Sequence, residues 1–336
     1  MKILALQLKR IGDLILTTPA LFALRQNFPG AHLTLAVEAG CRELLPAIDF
    51  VDETLVFQRG GGNGALWWKL ISEGHDVCLD FTGNDRSAFF AVLSKSHQRV
   101  AYERVQRSRM RGIFYNRFVR SSVRENHTVD HYLHLLRALE INAATAPVTL
   151  HLPEWAEKKA RQLLLECGVE GAFALVHPGT ARPEKYWIPG RWAQVMEFCE
   201  RELGLPCVLS GSNDGVEQKH LSQIKTAMQS SARDVSGRLD LLTLAALTKM
   251  AQLVLTVDSA PMHLAGAFAT PQVALFGPTN PFHWHPRQPH AAVIVAGESA
   301  LNPEFKPQHE PHAMDAISTE LVTRAINAVS AHVQKV

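Results

Sequence analysis

The chain alternates short, mostly apolar runs with longer stretches in which apolar residues recur every three or four positions. The runs fall at 3–8, 32–37, 53–57, 76–81 and 99–102 in the first half, and at 173–177, 206–210, 253–257 and 272–276 in the second. Such runs, bounded by polar residues, Gly or Pro, predict strands buried on both faces. Helical spacing covers 86–94, 155–167, 191–203, 215–229 and 239–250. Residues 9–13 read as a loop. The helix after them is expected to be capped by Thr17 or Thr18, with Pro19 in its first turn and Gly30 past its end. Strands alternating with helices predict an α/β protein built on parallel, doubly wound sheets.

The alternation breaks at 141–154, INAATAPVTLHLPE, which holds two prolines, and then restarts. With 336 residues, two domains are expected. They are placed at 1–150 and 151–314, with a last helix in 315–336 whose apolar face is Ile317, Leu321, Ile326 and Val329. A net charge of +2 excludes a polyanion binder acting with its whole surface. Lys9, Arg10 and Asp13 interrupt the apolar N-terminus before a signal-peptide core forms. No run approaches the ~18 apolar residues of a membrane span. A soluble chain that at most touches a membrane surface is expected. The five cysteines include no CxxC pair, which favours reduced thiols and a cytosolic setting.

Charge is locally uneven. Residues 84–124 hold ten basic side chains, nine of them arginine, against the acidic Asp85 and Glu103. Arginine binds phosphate and carboxylate through a planar, two-pronged fork. An anionic small or lipid-linked substrate is the favoured partner. A solvated face or a nucleic-acid patch with Phe114, Tyr115 and Phe118 are the alternatives, and no nucleic-acid motif accompanies them. The glycine-dense 58–64, QRGGGNG, is read as a surface loop rather than a phosphate cradle.

Candidate chemistry gathers where predicted strands end. Residues 253–281 read strand, loop, short helix, strand, loop. Asp258 and Ser259 stand at the helix start, with Ala260 and Pro261 next and His263 on its first turns. That arrangement makes a ligand crevice suited to phosphate, although Asp258 and Ser259 serve equally well as helix caps. Gly12-Asp13 follows the first strand and offers a carboxylate. Residues 177–187, HPGTARPEKYW, offer Thr180 and Lys185 to a pyrophosphate. Residues 210–214, SGSND, offer Asp214 to ribose hydroxyls, with Glu217 as second choice and helix capping as the other use of the turn. His283 and His285 have no convincing further ligand set, so no metal site is expected.

The stretch VDSAPMHLAGAFATPQVALFGPTNP, with HWHP shortly after it, resembles the signature of the ADP-heptose:lipopolysaccharide heptosyltransferases, glycosyltransferase family 9. Its wording is most similar to the heptosyltransferase III subgroup. The resemblance implies a GT-B fold, two Rossmann-like domains with parallel sheets facing across a cleft, and a C-terminal helix returning to the N-terminal domain. It implies an inverting, metal-independent transfer of heptose from ADP-L-glycero-D-manno-heptose to the anionic lipopolysaccharide inner core, at the cytoplasmic face of the inner membrane. No cofactor and no nucleic acid are implied. Asp13 falls at the family's general base. Lys185, Thr180, Asp214, Asp258, Ser259, Ala260 and His263 fall at donor positions. Gln7 stands where many relatives carry a basic residue, and Lys9 or Arg10 would replace it. Lys9, Arg10 and Arg86 are the acceptor candidates. Another nucleotide-sugar donor, an epimerase, or a non-catalytic glycan-binding protein are the competing readings.

Overall fold

The structure, a computed structural model, describes residues 1–143 and 147–333. The expected boundary at 141–154 includes 144–146, which lie outside the described residues. The chain divides into two units, Met1–His151 and Leu152–Val336.

The first unit carries strands β1 (Lys2–Gln7), β2 (His32–Glu38), β3 (Glu53–Phe57), β4 (Val77–Asp80), β5 (Gln98–Tyr102) and β6 (Arg117–Val119). They form one parallel sheet in the order β3-β2-β1-β4-β5-β6. The second unit carries β7 (Ala174–His177), β8 (Cys207–Leu209), β9 (Arg233–Asp234), β10 (Leu253–Val257), β11 (Gln272–Phe276) and β12 (Ala291–Val295). Their order is β12-β11-β10-β7-β8-β9, again parallel. Each unit therefore runs outward from its first strand, returns, and runs outward on the other side. The reversal leaves a crevice at the carboxyl ends of β1 and β4 in one unit, and of β7 and β10 in the other.

The central strands are apolar because helices cover both faces. Ile3 to Leu6 and Leu253 to Val257 are almost wholly excluded from solvent. The first helix departs from expectation. It starts at Ile11, directly after β1, and Pro19 lies inside it. Proline cannot pair with the carbonyl four residues back. The Thr18 hydroxyl donates to that Ile15 carbonyl at 2.8 Å, and the Thr17 hydroxyl donates to Asp13 O at 2.7 Å. These bonds let the helix pass the proline, so Asp13 sits in a helical first turn and not in a loop.

The last helix runs over Thr319–Val333. Leu321, Val322, Ala325, Ile326 and Val329 are buried in the second unit's own core, with Trp187, Trp192 and β12 residues. Trp187 Nε1 donates to Ile317 O at 3.0 Å, and Arg191 donates to Asp315 O at 2.6 Å. The helix thus completes the core of the second unit. Each fully buried aliphatic side chain is worth roughly 1.5–3 kcal/mol.

All five cysteines are free thiols, four of them buried. Among the described residues, no helix is long and apolar enough to cross a membrane.

The first unit contains a buried histidine with a consequence for stability. His131 stacks on Tyr102 at 3.8 Å and its Nδ1 meets Ser121 Oγ at 2.9 Å. Its Nε2 has no partner among the described residues. Burial first, and the charges of Lys9 and Arg104 next, push its pKa down to about 3. The unfolded chain binds this proton near pH 6.5, whereas the folded chain does not until much lower pH. Stability is therefore full above about pH 6.5 and is lost as pH falls, by on the order of 2–3 kcal/mol at pH 4 from this group. His131→Phe keeps the stacked ring and removes the titration. Thermal melts from pH 7 to pH 4 should fall less steeply for the variant than for the parent. Equal slopes would show that this imidazole does not govern the acid limit.

Candidate active site

The crevice of the first unit is built around Asp13. Its Oδ1 accepts a hydrogen bond from Tyr132 Oη at 2.6 Å. Lys9 Nζ donates to the same tyrosine oxygen at 3.1 Å and lies 3.5 Å from Asp13 Oδ1. Tyr132 comes from the helix Thr128–Leu135 and is fully buried. Burial, reinforced by Asp13, pushes its pKa well above the usual phenol value, so it remains a proton donor. Asp13 Oδ2 has no hydrogen-bond partner among the described residues. A carboxylate held at one oxygen and open at the other suits general-base chemistry. Gln7 is buried and donates from Nε2 to Thr17 Oγ1 at 2.6 Å. Lys9 thus supplies the positive charge near Asp13, while Arg10 precedes the helix Ile11–Asn27 as an exposed side chain.

Arg86 does lie in the first turn of the helix Asp85–Leu93. Its guanidinium pairs with Glu38, at the end of β2, and covers the Phe57 ring at 5.1 Å. Glu38 also receives Arg59 Nη2 at 2.7 Å. An acceptor phosphate at Arg86 would therefore compete with a carboxylate already shared by two arginines. Neighbouring Asp80, at the end of β4, is buried and accepts from Thr82 N, Gly83 N and Tyr115 Oη at 2.8, 2.9 and 2.5 Å. Those bonds fix the turn that launches the helix Asp85–Leu93.

In the second unit, the loops after β7 and β10 meet. Lys185 Nζ lies 2.6 Å from Asp258 Oδ2 and donates to Asp258 O at 3.0 Å. Thr279 Oγ1 donates to the same carboxylate oxygen at 2.7 Å. Lys185 and Asp258 are each 8% exposed. A low dielectric makes such a pair strong and makes either member costly to leave alone. Ser259 occupies the N-cap of the helix Ala260–Ala267 without capping it through its side chain. Its hydroxyl instead lies 3.3 Å from Thr256 Oγ1. The helix start is thus open to an anion beside the lysine. Ala260 opens this helix, and His263 is half-buried on it. Thr180 is half-buried in the loop after β7.

Asp214 takes the capping role. Its Oδ1 accepts from Val216 N at 3.0 Å, at the start of the helix Gly215–Ala227. Glu217, the second choice from sequence, is the buried carboxylate of this region. It accepts from Ser212 N at 2.9 Å and Ser212 Oγ at 2.5 Å, and lies 3.9 Å from His177 Nε2. A Cβ on Gly179 would overlap the Glu217 carboxylate, so a side chain there would have to displace it. Burial pushes the His177 pKa down, against the opposing pull of Glu217.

The conserved-domain model described as "Glycosyltransferase family 9 (heptosyltransferase)" matches residues 64–313. The chain belongs to glycosyltransferase family 9. The match takes in Lys185, Glu217 and Asp258 of this family 9 enzyme, and Asp13 precedes it. Lipopolysaccharide heptosyltransferase 3 of Escherichia coli K12 is 24% identical over 296 residues, covering 85% of either chain. Lipopolysaccharide core heptosyltransferase OpsX of Haemophilus influenzae is 21% identical, covering 91% of this chain and 87% of its own. The crystal structure of a glycosyl transferase family 9 protein from Veillonella parvula superposes with a TM-score of 0.86 at 24% identity, covering 98% of this chain and 97% of that one. E. coli ADP-heptose lps heptosyltransferase II gives 0.80 at 21% identity, covering 99% of this chain and all of its own. The fold of this family 9 chain is accordingly GT-B, an α/β architecture.

Sequence reasoning missed Tyr132, Glu38, His177 and Thr279, which lie against Asp13, Arg86, Glu217 and Asp258. His177 stood inside a quoted motif, at a strand end, and that position was the available signal. Tyr132 lies 119 residues from Asp13 and carried none. His285 Nδ1 lies 2.9 Å from Pro281 O, and the His283 ring packs edge-on against Phe282 and Trp284. No group of three or more His, Cys, Asp or Glu able to hold a metal occurs among the described residues.

Proposed function

We propose that this glycosyltransferase moves heptose from ADP-L-glycero-D-manno-heptose to a heptose of the lipopolysaccharide inner core, with inversion and without metal. The observation that carries the donor half is the buried Lys185–Asp258 pair beside the open start of the helix Ala260–Ala267, within the signature stretch. Support for ADP and heptose comes from relatives. A solved structure is titled E. coli heptosyltransferase WaaC with ADP, and another is the same enzyme with ADP-2-deoxy-2-fluoro heptose. Lipopolysaccharide heptosyltransferase 3 proteins of E. coli support the acceptor class.

In this reading the acceptor hydroxyl gives its proton to Asp13 as its oxygen attacks the anomeric carbon. The bond from that carbon to the diphosphate oxygen breaks, and ADP leaves. One displacement without a covalent sugar–enzyme intermediate inverts the centre. Lys185 and the amides at Ser259 and Ala260 take the charge that develops on the leaving diphosphate. Thr180 and His263 contact phosphate or sugar. Asp214, or Glu217 as second choice, accepts the ribose hydroxyls; each also holds its own turn, Asp214 through Val216 N and Glu217 through Ser212. Lys9 and Arg10 are the acceptor-side cations, and Arg86 joins them only by giving up Glu38. An acceptor anchored in lipid places the enzyme at the cytoplasmic surface of the inner membrane.

Calorimetric titration without metal, comparing ADP-heptose with UDP- and GDP-sugars, tests the donor. Selective binding of ADP-heptose is expected. Preference for a UDP-sugar would keep the fold and the Lys185 site and discard heptosyl transfer.

A further inference from the structure

Most of the large apolar side chains exposed among the described residues fall between 68 and 113: Trp68, Ile71, Phe89, Val92, Met110 and Ile113. They share one region of the first unit. Trp68 and Ile71 are three apart on the helix Gly64–Glu73, and Phe89 and Val92 are three apart on the helix Asp85–Leu93, so each pair shares a helix face. Trp67 joins the two helices, with its ring 5.3 Å from Phe89 and 4.8 Å from Phe90. The segment carrying Met110 and Ile113 is tied to the start of the second helix. Arg111 donates to Gly83 O at 3.0 Å and pairs with Asp85 at 3.2 Å. Trp68, Met110 and Ile113 are 72%, 75% and 73% exposed. That is extreme for side chains of this size, which bury themselves when they can.

The cations around them divide into two groups. Arg86, Arg99, Arg104 and Arg111 are bonded into the fold. Lys95, Arg107 and Arg109 are exposed, and no ion pair engages them among the described residues. An apolar patch with an indole and unpaired cations at its edge matches the boundary of an anionic bilayer. Aliphatic and aromatic groups enter the headgroup region there, and arginines meet lipid phosphate. A second copy fits poorly, because a two-fold interface would press these same cations together. A nucleic acid would engage the arginines but leave Ile71, Val92, Met110 and Ile113 without a counterpart.

We infer that Trp68, Ile71, Phe89, Val92, Met110 and Ile113, bordered by Lys95, Arg107 and Arg109, form the face on which this protein docks to an anionic lipid bilayer. The inference deepens the membrane-surface part of the proposed function and uses neither the donor assignment nor Asp13. The test therefore omits nucleotide-sugar and acceptor, and the catalytic reading stands or falls separately.

The full chain is sedimented with phosphatidylcholine vesicles and with phosphatidylcholine vesicles carrying phosphatidylglycerol. Binding to the anionic vesicles only, weakening with salt, is expected. Arg107→Glu with Arg109→Glu should lower the partition coefficient by at least roughly tenfold, and Trp68→Ser with Ile113→Ser by a similar factor. Trp155→Ser, an exposed tryptophan of the second unit, should change nothing. All these positions are exposed, so thermal melts should match the parent. Absence of parent binding to anionic vesicles, or loss with Trp155→Ser equal to that of the patch variants, overturns the inference. So does a parent dimer that Trp68→Ser with Ile113→Ser makes monomeric, or tighter binding to an oligonucleotide than to vesicles.

Discussion

Asp13→Asn should lower turnover by roughly 10²–10⁴ while leaving ADP-heptose binding within about twofold. The amide keeps the shape of the side chain and can still accept the Tyr132 hydroxyl, which donates at 2.6 Å. It cannot take a proton from the acceptor. The loss therefore falls on the chemical step and not on the fold. Tyr132→Phe offers the companion result. It leaves Asp13 in place but removes the bond that fixes its orientation, so a smaller loss, about tenfold, is expected in turnover, with a shifted pH profile. Single-turnover kinetics with saturating donor separate these effects from binding. Near-parental turnover in Asp13→Asn would remove this residue as the base.

Lys185→Met should do two things at once. It strips the ammonium from a carboxylate that is 8% exposed and otherwise held by Thr279. Breaking a buried pair from one side costs about 3–5 kcal/mol. It also removes the cation beside the open helix start, so ADP affinity should drop by roughly a hundredfold. The double variant Lys185→Met with Asp258→Leu separates the two. With both charges gone, stability should return to within about 1–2 kcal/mol of the parent, because no uncompensated charge remains. ADP affinity should stay low. Denaturant melts measure the first quantity and calorimetry the second. A double variant as unstable as the summed singles would show that the two residues are not energetically coupled. Parental ADP affinity in Lys185→Met would end its assignment to the pyrophosphate.

The parts of the fold legible in the sequence are those in which burial dictates composition. Leu253–Val257, Gln272–Phe276 and Glu53–Phe57 are found where the apolar runs place them. Arg233–Asp234 was not legible, since a two-residue polar edge strand has no pattern to show. Ala291–Val295 could have been read, as a β-branched run between His290 and Gly297. The first helix was misplaced because Pro19 looks like a helix start. The threonine hydroxyls that let a helix continue past it act only once the turn has formed.

The site shows the same division. Strand ends mark Asp13, Lys185 and Asp258 because chemistry in a parallel sheet collects there. What they bind within the protein could not be read. Lys185 and Asp258 are 73 residues apart, and Arg86 and Glu38 are 48 apart. Spacing reports only neighbours along an element. The turn at 210–214 put Asp214 first and left Glu217, three residues on, as second choice. That Glu217 lies buried against Gly179 and Gly211 is a three-dimensional fact that spacing does not show.

The position of the last helix also bears on how the chain is made. The first unit, Met1–His151, leaves the ribosome before the second, and nothing downstream is needed to close its sheet. The second unit is different. Its core includes Leu321, Val322, Ala325, Ile326 and Val329, made long after its first strand Ala174–His177. Until they emerge, the faces of β11, β12 and the helix Pro189–Leu203 that this helix covers stay open to water. The second unit thus spends much of its synthesis as a sticky, unfinished layer, and its protection waits for the helix Thr319–Val333.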